Sequence, residues 1–102
     1  MAKPLKIVEG SALTAQQKKD LLNRLARIEG QLRGVQKLIA LAAEPADCEA
    51  VAQQMAAARK ALDRSFVQLL MATVVTGSEQ AGDLDEARST AARLAALLDK
   101  FA

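Results

Sequence analysis

The 102-residue sequence contains no histidine, tryptophan or tyrosine, only two phenylalanines and a single cysteine. Without histidine and with one cysteine, a chain cannot assemble a His/Cys zinc site, a Ser-His-Asp triad or a Cys-His dyad. Two aromatic rings are too few for the base-stacking surfaces that read single-stranded nucleic acid. The composition therefore argues against an enzyme and against an RNA-recognition fold, and it indicates no cofactor.

One cysteine also excludes an internal disulfide, and the first residues lack the apolar segment and small-residue cleavage site of a secretion signal. No uninterrupted apolar run is long enough to span a membrane. We therefore expect a cytoplasmic protein without a membrane partner. The length fits a single domain.

The charge is unevenly distributed, although the net value is only +2. Residues 1–77 carry 11 basic and 7 acidic side chains, and residues 78–102 carry 3 basic and 5 acidic ones. The body of the chain is thus about +4 and the last segment about −2. A positive body is compatible with a polyanionic partner, but it does not identify one.

Helical signals follow an irregular first segment, residues 1–13, which we expect to be a flexible arm before one helical domain over residues 14–102. Thr14 with Gln17 and Asp83 with Glu86 match the capping-box pattern, and Asp47 is a typical N-cap. Gly77 is a natural helix stop. The sequence therefore predicts an all-α protein with two long helices and a short one, over residues 15–43, 48–76 and 84–101.

The apolar residues of the first predicted helix alternate spacings of four and three, the heptad repeat of helical bundles. They are Leu21, Leu25, Ile28, Leu32, Val35, Ile39 and Ala42. A helix of this length would be about 43 Å long, which is longer than a compact domain of this mass is wide. The repeat therefore predicts association with a further helical partner. Gly30 and Gly34, four residues apart, indicate close helix packing, an approach to DNA or a kink.

Basic side chains recur on the predicted outer faces of both long helices. Heptad arithmetic places Arg24, Arg27 and Gln31 on one outward stripe and Lys60 with Arg64 on another. Such stripes are commonly solvated surfaces, but arginine also suits phosphate because its planar donor fork matches phosphate oxygens. The pattern alone leaves both interpretations open.

The segment Leu22–Gly34, LNRLARIEGQLRG, resembles the R-x-x-R-I-E-G-Q-x-R-G signature of the CsoR/RcnR family of bacterial metal-sensing repressors. The similarity continues through Cys48, Gln54, Arg64 and Leu69–Leu70, and covers roughly residues 15–77. The resemblance implies antiparallel four-helix-bundle dimers that assemble into a disc-shaped homotetramer. It also implies binding of double-stranded operator DNA without a helix-turn-helix.

The family's DNA-contacting arginines fall on Arg27 and Arg64. The neighbouring basic residues would broaden this surface, so the predicted DNA-binding residues are Arg24, Arg27, Gln31, Arg33, Arg59, Lys60 and Arg64. The leading hypothesis is therefore a DNA-binding transcriptional repressor. The alternative is a sensor-dead helical protein that only forms oligomers.

The sequence departs from the family at the sensor. Copper-sensing relatives use a cysteine that opens the second helix, with a histidine and a cysteine four residues apart on the partner protomer. The corresponding residues here are Cys48, Thr73 and Gly77. A hydroxyl and a glycine provide no soft ligand for Cu(I), so we expect no metal site.

Cys48 is then the remaining candidate for effector sensing, although a cysteine in this register can also be a packing residue. Persulfide-sensing relatives have a second cysteine at the position of Thr73. Because this chain has a threonine there, it cannot form the corresponding disulfide. Formaldehyde-sensing relatives join this cysteine to an N-terminal proline amine. In this chain the start is Met1-Ala2-Lys3-Pro4, and Lys3 and Lys6 offer further amines. A thiol-reactive effector, such as formaldehyde or a sulfur species, is the resulting hypothesis.

Overall fold

A computed structural model describes residues 5–101; Met1–Pro4, which include Lys3 and the predicted start of the arm, and Ala102 lie outside the described residues. The chain forms three α-helices, α1 (Ala15–Leu41), α2 (Pro45–Gln80) and α3 (Leu84–Phe101), and the described part contains no strand. The all-α class with two long helices and a short one is confirmed. No helix among the described residues combines the length and the apolar character needed to cross a membrane.

The predicted capping box forms in full at α1, whereas at α3 its second bond goes to Gly82, the residue before the N-cap. At α1, Thr14 Oγ1 accepts the N–H of Gln17 (3.1 Å) and Gln17 Oε1 accepts the N–H of Thr14 (2.7 Å). At α3, Asp83 Oδ1 accepts the N–H of Glu86 (2.7 Å), and the Glu86 carboxylate reaches back to the N–H of Gly82 (2.8 Å). These bonds satisfy backbone donors that the first helical turn leaves without partners, which is why both helices begin where the sequence predicts.

The start of α2 differs from the prediction. The helix begins at Pro45, not at residue 48, and α1 ends at Leu41 rather than at residue 43. Asp47 lies inside the first turn, where its Oδ2 accepts the N–H groups of Ala43 and Glu44, both at 3.0 Å. Proline is well suited to the first helical position because its missing N–H would have no helical partner there. Asp47 thus caps α2 from within its first turn, and not as the N-cap residue.

The end of α2 also differs. The helix continues through Gly77 to Gln80, so the predicted stop at Gly77 is wrong. No glycine among the described residues has a positive φ, and Gly77 therefore does not adopt the left-handed geometry that ends helices. A Cβ atom at Gly77 would lie 3.1 Å from Cγ2 of Thr90 in α3. The glycine provides room for a neighbouring helix instead of ending its own.

The chain divides into two compact units. The central unit spans Leu22–Phe66, and the terminal unit combines the segment up to Leu21 with the segment from Val67 onwards. Ile28, Val35 and Ala58 are buried in the central unit, and Leu21 and Leu70 are buried in the terminal unit. Among the described residues only these five apolar side chains are buried, whereas sixteen large ones are exposed. The single protomer therefore covers little of its apolar surface.

Candidate nucleic-acid interface

An open recess of about 250 Å³ lies between α1 and α2 within the central unit. Spacings of three and four residues bring the α1 side chains to one helix face, and α2 supplies the opposite wall. The lining consists of Arg24, Arg27, Ile28 and Gln31 from α1, with Ala61, Arg64 and Ser65 from α2. Three arginines thus line one concave surface.

The floor of the recess is formed by two buried residues, Ile28 and Ser65. Ile28 is buried against α2, and Ser65 is buried with its hydroxyl donating to the carbonyl of Ala61 at 3.0 Å. The sequence pattern did not identify Ile28, Ala61 or Ser65 as site residues. Their spacing could have indicated two of them, because Ala61 precedes Arg64 by three residues and Ile28 follows Arg24 by four. Each of these two therefore lies on the same helix face as an arginine.

Within the part of the chain that the structure describes, the arginines of the recess have no acidic partner. Among residues 5–101, the ion pair found within 4.0 Å joins Arg33 to Glu29 at that limiting distance, on the exposed surface of α1. No carboxylate contributes to the lining of the recess. The positive charge of Arg24, Arg27 and Arg64 is therefore not neutralised by a neighbouring acid, and the recess attracts anions.

The structure gathers only part of the predicted DNA-binding set. Arg24, Arg27, Gln31 and Arg64 line the recess, whereas Arg33, Arg59 and Lys60 are exposed outside it. On α2, Arg64 lines the recess and Lys60 does not, although the sequence pattern predicts both on one outward stripe. Gly30 and Gly34 are also exposed, and a Cβ atom at either would meet nothing within 4 Å, so within the protomer neither glycine serves close packing.

A second surface of the central unit is apolar. Leu25, Leu32 and Ile39 recur every seven residues on α1 and are exposed, while Ile28 and Val35 between them are buried. On α2, Met55 and Leu62 are exposed at the same spacing, each within a turn of buried Ala58. One half of the heptad seam thus packs inside the protomer, and the other half remains uncovered. We call these five exposed residues the apolar stripe.

Cys48 is exposed and lies seven residues before Met55, in the register of the apolar stripe. Within the protomer it is therefore not a buried packing residue. Asp47 beside it has a pKa below the ordinary value, because the N–H groups of Ala43 and Glu44 donate to its carboxylate. The residue next to the thiol thus carries a negative charge.

Thr73 and Gly77, which the family resemblance assigns to the sensor, lie in the terminal unit. The Thr73 hydroxyl donates to the carbonyl of Leu69 at 2.8 Å, one turn back on its own helix, and Gly77 faces the methyl group of Thr90. Across the described residues, no three His, Cys, Asp or Glu side chains come close enough to hold a metal ion. Neither position offers a soft ligand, so the residues present do not fit the copper site of related sensors.

Comparison with protein families gives a match to the metal-sensitive transcriptional repressor model over residues 17–100. The chain belongs to this family, the CsoR/RcnR repressors. Searches of curated proteins and of solved structures gave no significant match. The match extends the resemblance seen in the sequence from residues 15–77 to α3, and the model describes metal-sensitive transcriptional repressors. The matched residues reach from the first turn of α1 to the last turn of α3.

Proposed function

We propose that the protein is a transcriptional repressor that binds double-stranded operator DNA in the cytoplasm through the basic surface of its central unit. The observation that carries the proposal is the recess lined by Arg24, Arg27 and Arg64, which have no acidic partner among residues 5–101. Guanidinium groups donate paired hydrogen bonds to phosphate oxygens, and they stay charged at every physiological pH. Arg33, Arg59 and Lys60, exposed nearby in sequence, extend the contact along the DNA backbone.

Gln31 adds a neutral donor and acceptor to this surface. Glutamine can bind the edge of adenine in the major groove, whereas contacts to phosphate carry no sequence information. In the proposed complex the arginines supply affinity and Gln31 is the lining residue whose amide suits a base edge. No cofactor is needed for this activity.

The apolar stripe supports a homodimer as the minimum functional unit. Leu32 is 49% exposed and Met55 53% exposed in the protomer, and both lie in a repeat whose other half is buried. A second copy that presents the same stripe in the antiparallel direction would form a four-helix bundle and cover both surfaces. The disc-shaped homotetramer of the family is our proposal for the complete assembly.

Cys48 is our proposed effector site. Its exposure makes the thiol accessible, and its register places it at the edge of the surface that we assign to the dimer. A covalent adduct there, from formaldehyde or a reactive sulfur species, would change the packing of the stripe and so bias the assembly against DNA. The substitution Cys48→Ala should then bind DNA normally but fail to release it on treatment with formaldehyde.

DNA binding is tested by anisotropy of a labelled duplex from upstream of the protein's own gene. We expect Arg27→Ala and Arg64→Ala each to weaken binding and to reduce the slope of log K against log salt by about 0.9 for each lost phosphate contact. Arg88→Ala is the matched control, because it removes the same charge at an exposed position of α3. It should leave the slope unchanged. Equal behaviour of all three variants would remove the assignment of the recess.

A second candidate function is a sensor-dead protein that only forms oligomers. The observation that favours it is the state of the sensor positions, where the Thr73 hydroxyl is bonded to its own helix and Gly77 is covered by Thr90. This candidate predicts oligomers in solution but no anisotropy change with any DNA at physiological salt. The same titration therefore separates the two functions.

A further inference from the structure

The recess in the central unit has more hydrogen-bond donors than one DNA phosphate can use. A phosphodiester carries a single negative charge and two free oxygens. Each guanidinium presents five N–H donors in a fixed fork, and three arginines line the recess together with Gln31. The donor set therefore exceeds the acceptor capacity of a backbone phosphate that enters the recess.

A terminal phosphoryl group is a closer match. It carries a charge of about −1.5 to −2 near neutral pH and three strong acceptor oxygens. Three guanidinium groups can each form a paired contact with its oxygens, and the excess positive charge is then nearly balanced. No carboxylate in the lining competes for these donors, because Glu29 pairs with Arg33 on the surface outside the recess.

The size of the recess limits what can bind. Its volume of about 250 Å³ holds several water molecules or one small ligand, and it lies just below the range of ordinary ligand pockets. Ile28 and Ser65, which are buried, close the recess from below. A phosphoryl group with a small body fits this space.

We propose that this recess binds the terminal phosphoryl group of a small molecule, and that the bound ligand competes with operator DNA. The ligand site stands on the lining of the recess alone, whereas the competition rests on the proposed repressor function. Because ligand and DNA would share Arg24, Arg27 and Arg64, occupancy by one excludes the other by mass action. The protein would then respond to the level of a phosphorylated small molecule without any metal.

Calorimetric titration of the full chain with inorganic pyrophosphate tests the ligand site. Ionic strength is held constant with sodium chloride, and dimethyl phosphate, which has one charge and two free oxygens, is the matched probe. We expect pyrophosphate to bind with a Kd on the order of 1 mM, as befits a few charge-assisted contacts, and dimethyl phosphate to bind at least about tenfold more weakly.

Variants locate the site. Arg64→Gln and Arg24→Gln should each weaken pyrophosphate binding by about tenfold, while Arg88→Gln, with the same loss of charge on α3, should bind as the natural chain does. Circular dichroism checks that each variant keeps its helices, and two recess variants keep the test valid if one fails to fold. Absence of pyrophosphate binding, equal binding of dimethyl phosphate, or equal weakening by Arg88→Gln would overturn the ligand site.

Competition is measured with a labelled duplex that has 5′-hydroxyl ends, so that the DNA itself offers no terminal phosphoryl group. Pyrophosphate at ten times its measured Kd should raise the apparent Kd for DNA about elevenfold, and sodium chloride of equal ionic strength should not. DNA binding that is indifferent to pyrophosphate would overturn the competition but leave the repressor function intact. Pyrophosphate binding without any DNA binding would support the ligand site and refute the repressor function.

Discussion

The hydroxyl of Thr76 in α2 donates a hydrogen bond of 2.8 Å to Oε1 of Gln17 in α1, across 59 positions of the chain. The same oxygen accepts the N–H of Thr14, so the capping box of α1 has a third member from another helix. Thr76 is the most buried side chain of the described residues, at 1% exposed. One amide oxygen thus fixes both the first turn of α1 and the last part of α2 within the terminal unit.

Substitution of Thr76 by valine should therefore destabilise the protein. Valine keeps the shape but loses the hydroxyl, and Gln17 Oε1 retains the N–H of Thr14, so we expect a loss of about 1 kcal/mol. Thr73→Val is the matched control, because the Thr73 hydroxyl bonds only to Leu69 on its own helix. Removal of the Thr73 hydroxyl should change the free energy of unfolding by less than about 0.5 kcal/mol. Urea unfolding at one fixed protein concentration compares the two variants. An equal loss of stability in both variants would contradict the cross-helix role of Thr76.

The contact between Gly77 and Thr90 predicts a coupled pair of substitutions. Alanine at Gly77 gains about 1 kcal/mol of helix propensity, but its Cβ atom would meet Thr90 Cγ2 at 3.1 Å. Thr90→Ser removes that methyl group. We therefore expect Gly77→Ala to be more favourable in the Thr90→Ser background than in the natural chain, with a coupling of about 0.5–2 kcal/mol in a double-mutant cycle. Simple additivity would show that the close approach has no energetic consequence.

A charge on the apolar stripe should break the homo-oligomer. Leu32→Glu places a carboxylate in the surface that we assign to the second protomer, where burial of an unpaired charge is costly. The mass measured by light scattering should then fall toward that of the 10.8 kDa protomer.

Leu41→Glu is the control for the stripe, because Leu41 is 79% exposed and lies outside the seven-residue register of Leu25, Leu32 and Ile39. It should keep the mass of the natural chain, measured at the same concentration. An unchanged mass for Leu32→Glu would place the interface elsewhere.

The start of α2 should depend on pH through Asp47. Its pKa is lowered by the N–H groups of Ala43 and Glu44, which bind the ionised carboxylate. A lowered pKa in the folded state means that the stabilising effect is present above the unfolded pKa of about 3.9 and is lost as the pH falls through the folded value. The stability difference between the natural chain and Asp47→Asn should therefore shrink as the pH is lowered from about 6 to about 3.

Asp63→Asn is the control. Asp63 is an exposed residue of α2, and its carboxylate accepts no hydrogen bond in the described part of the chain. Chemical denaturation of both variants at each pH makes the comparison. A difference for Asp47→Asn that stays constant over this range would show that the charge of the carboxylate is not what stabilises the turn.

The helix starts that the sequence predicted correctly are those set by neighbours in the chain. Thr14 with Gln17 and Asp83 with Glu86 form their bonds within three residues, so no other part of the molecule is needed to form them. Gly77 shows the opposite case. Glycine permits both a helix end and a close helix approach, and only the position of Thr90 decides which of the two occurs.

For the basic residues, too, the sequence revealed one part of the arrangement and helix packing decided the other. The sequence identified all the arginines that line the recess, because charge and spacing are visible in one dimension. It did not separate Arg64, which lines the recess, from Lys60, which does not. That difference depends on the side of α2 that faces α1, and hence on the packing of Ile28 with the buried positions of α2.

By itself the sequence determined three helices, their heptad repeat and the family signature, because all of these depend on residue types and local spacing. The tertiary structure decided which half of the repeat is buried inside the protomer and which half forms the uncovered stripe. It also decided that three arginines from two helices share one recess. These features arise from helices packed side by side, where residues far apart in the chain meet at distances that no local pattern encodes.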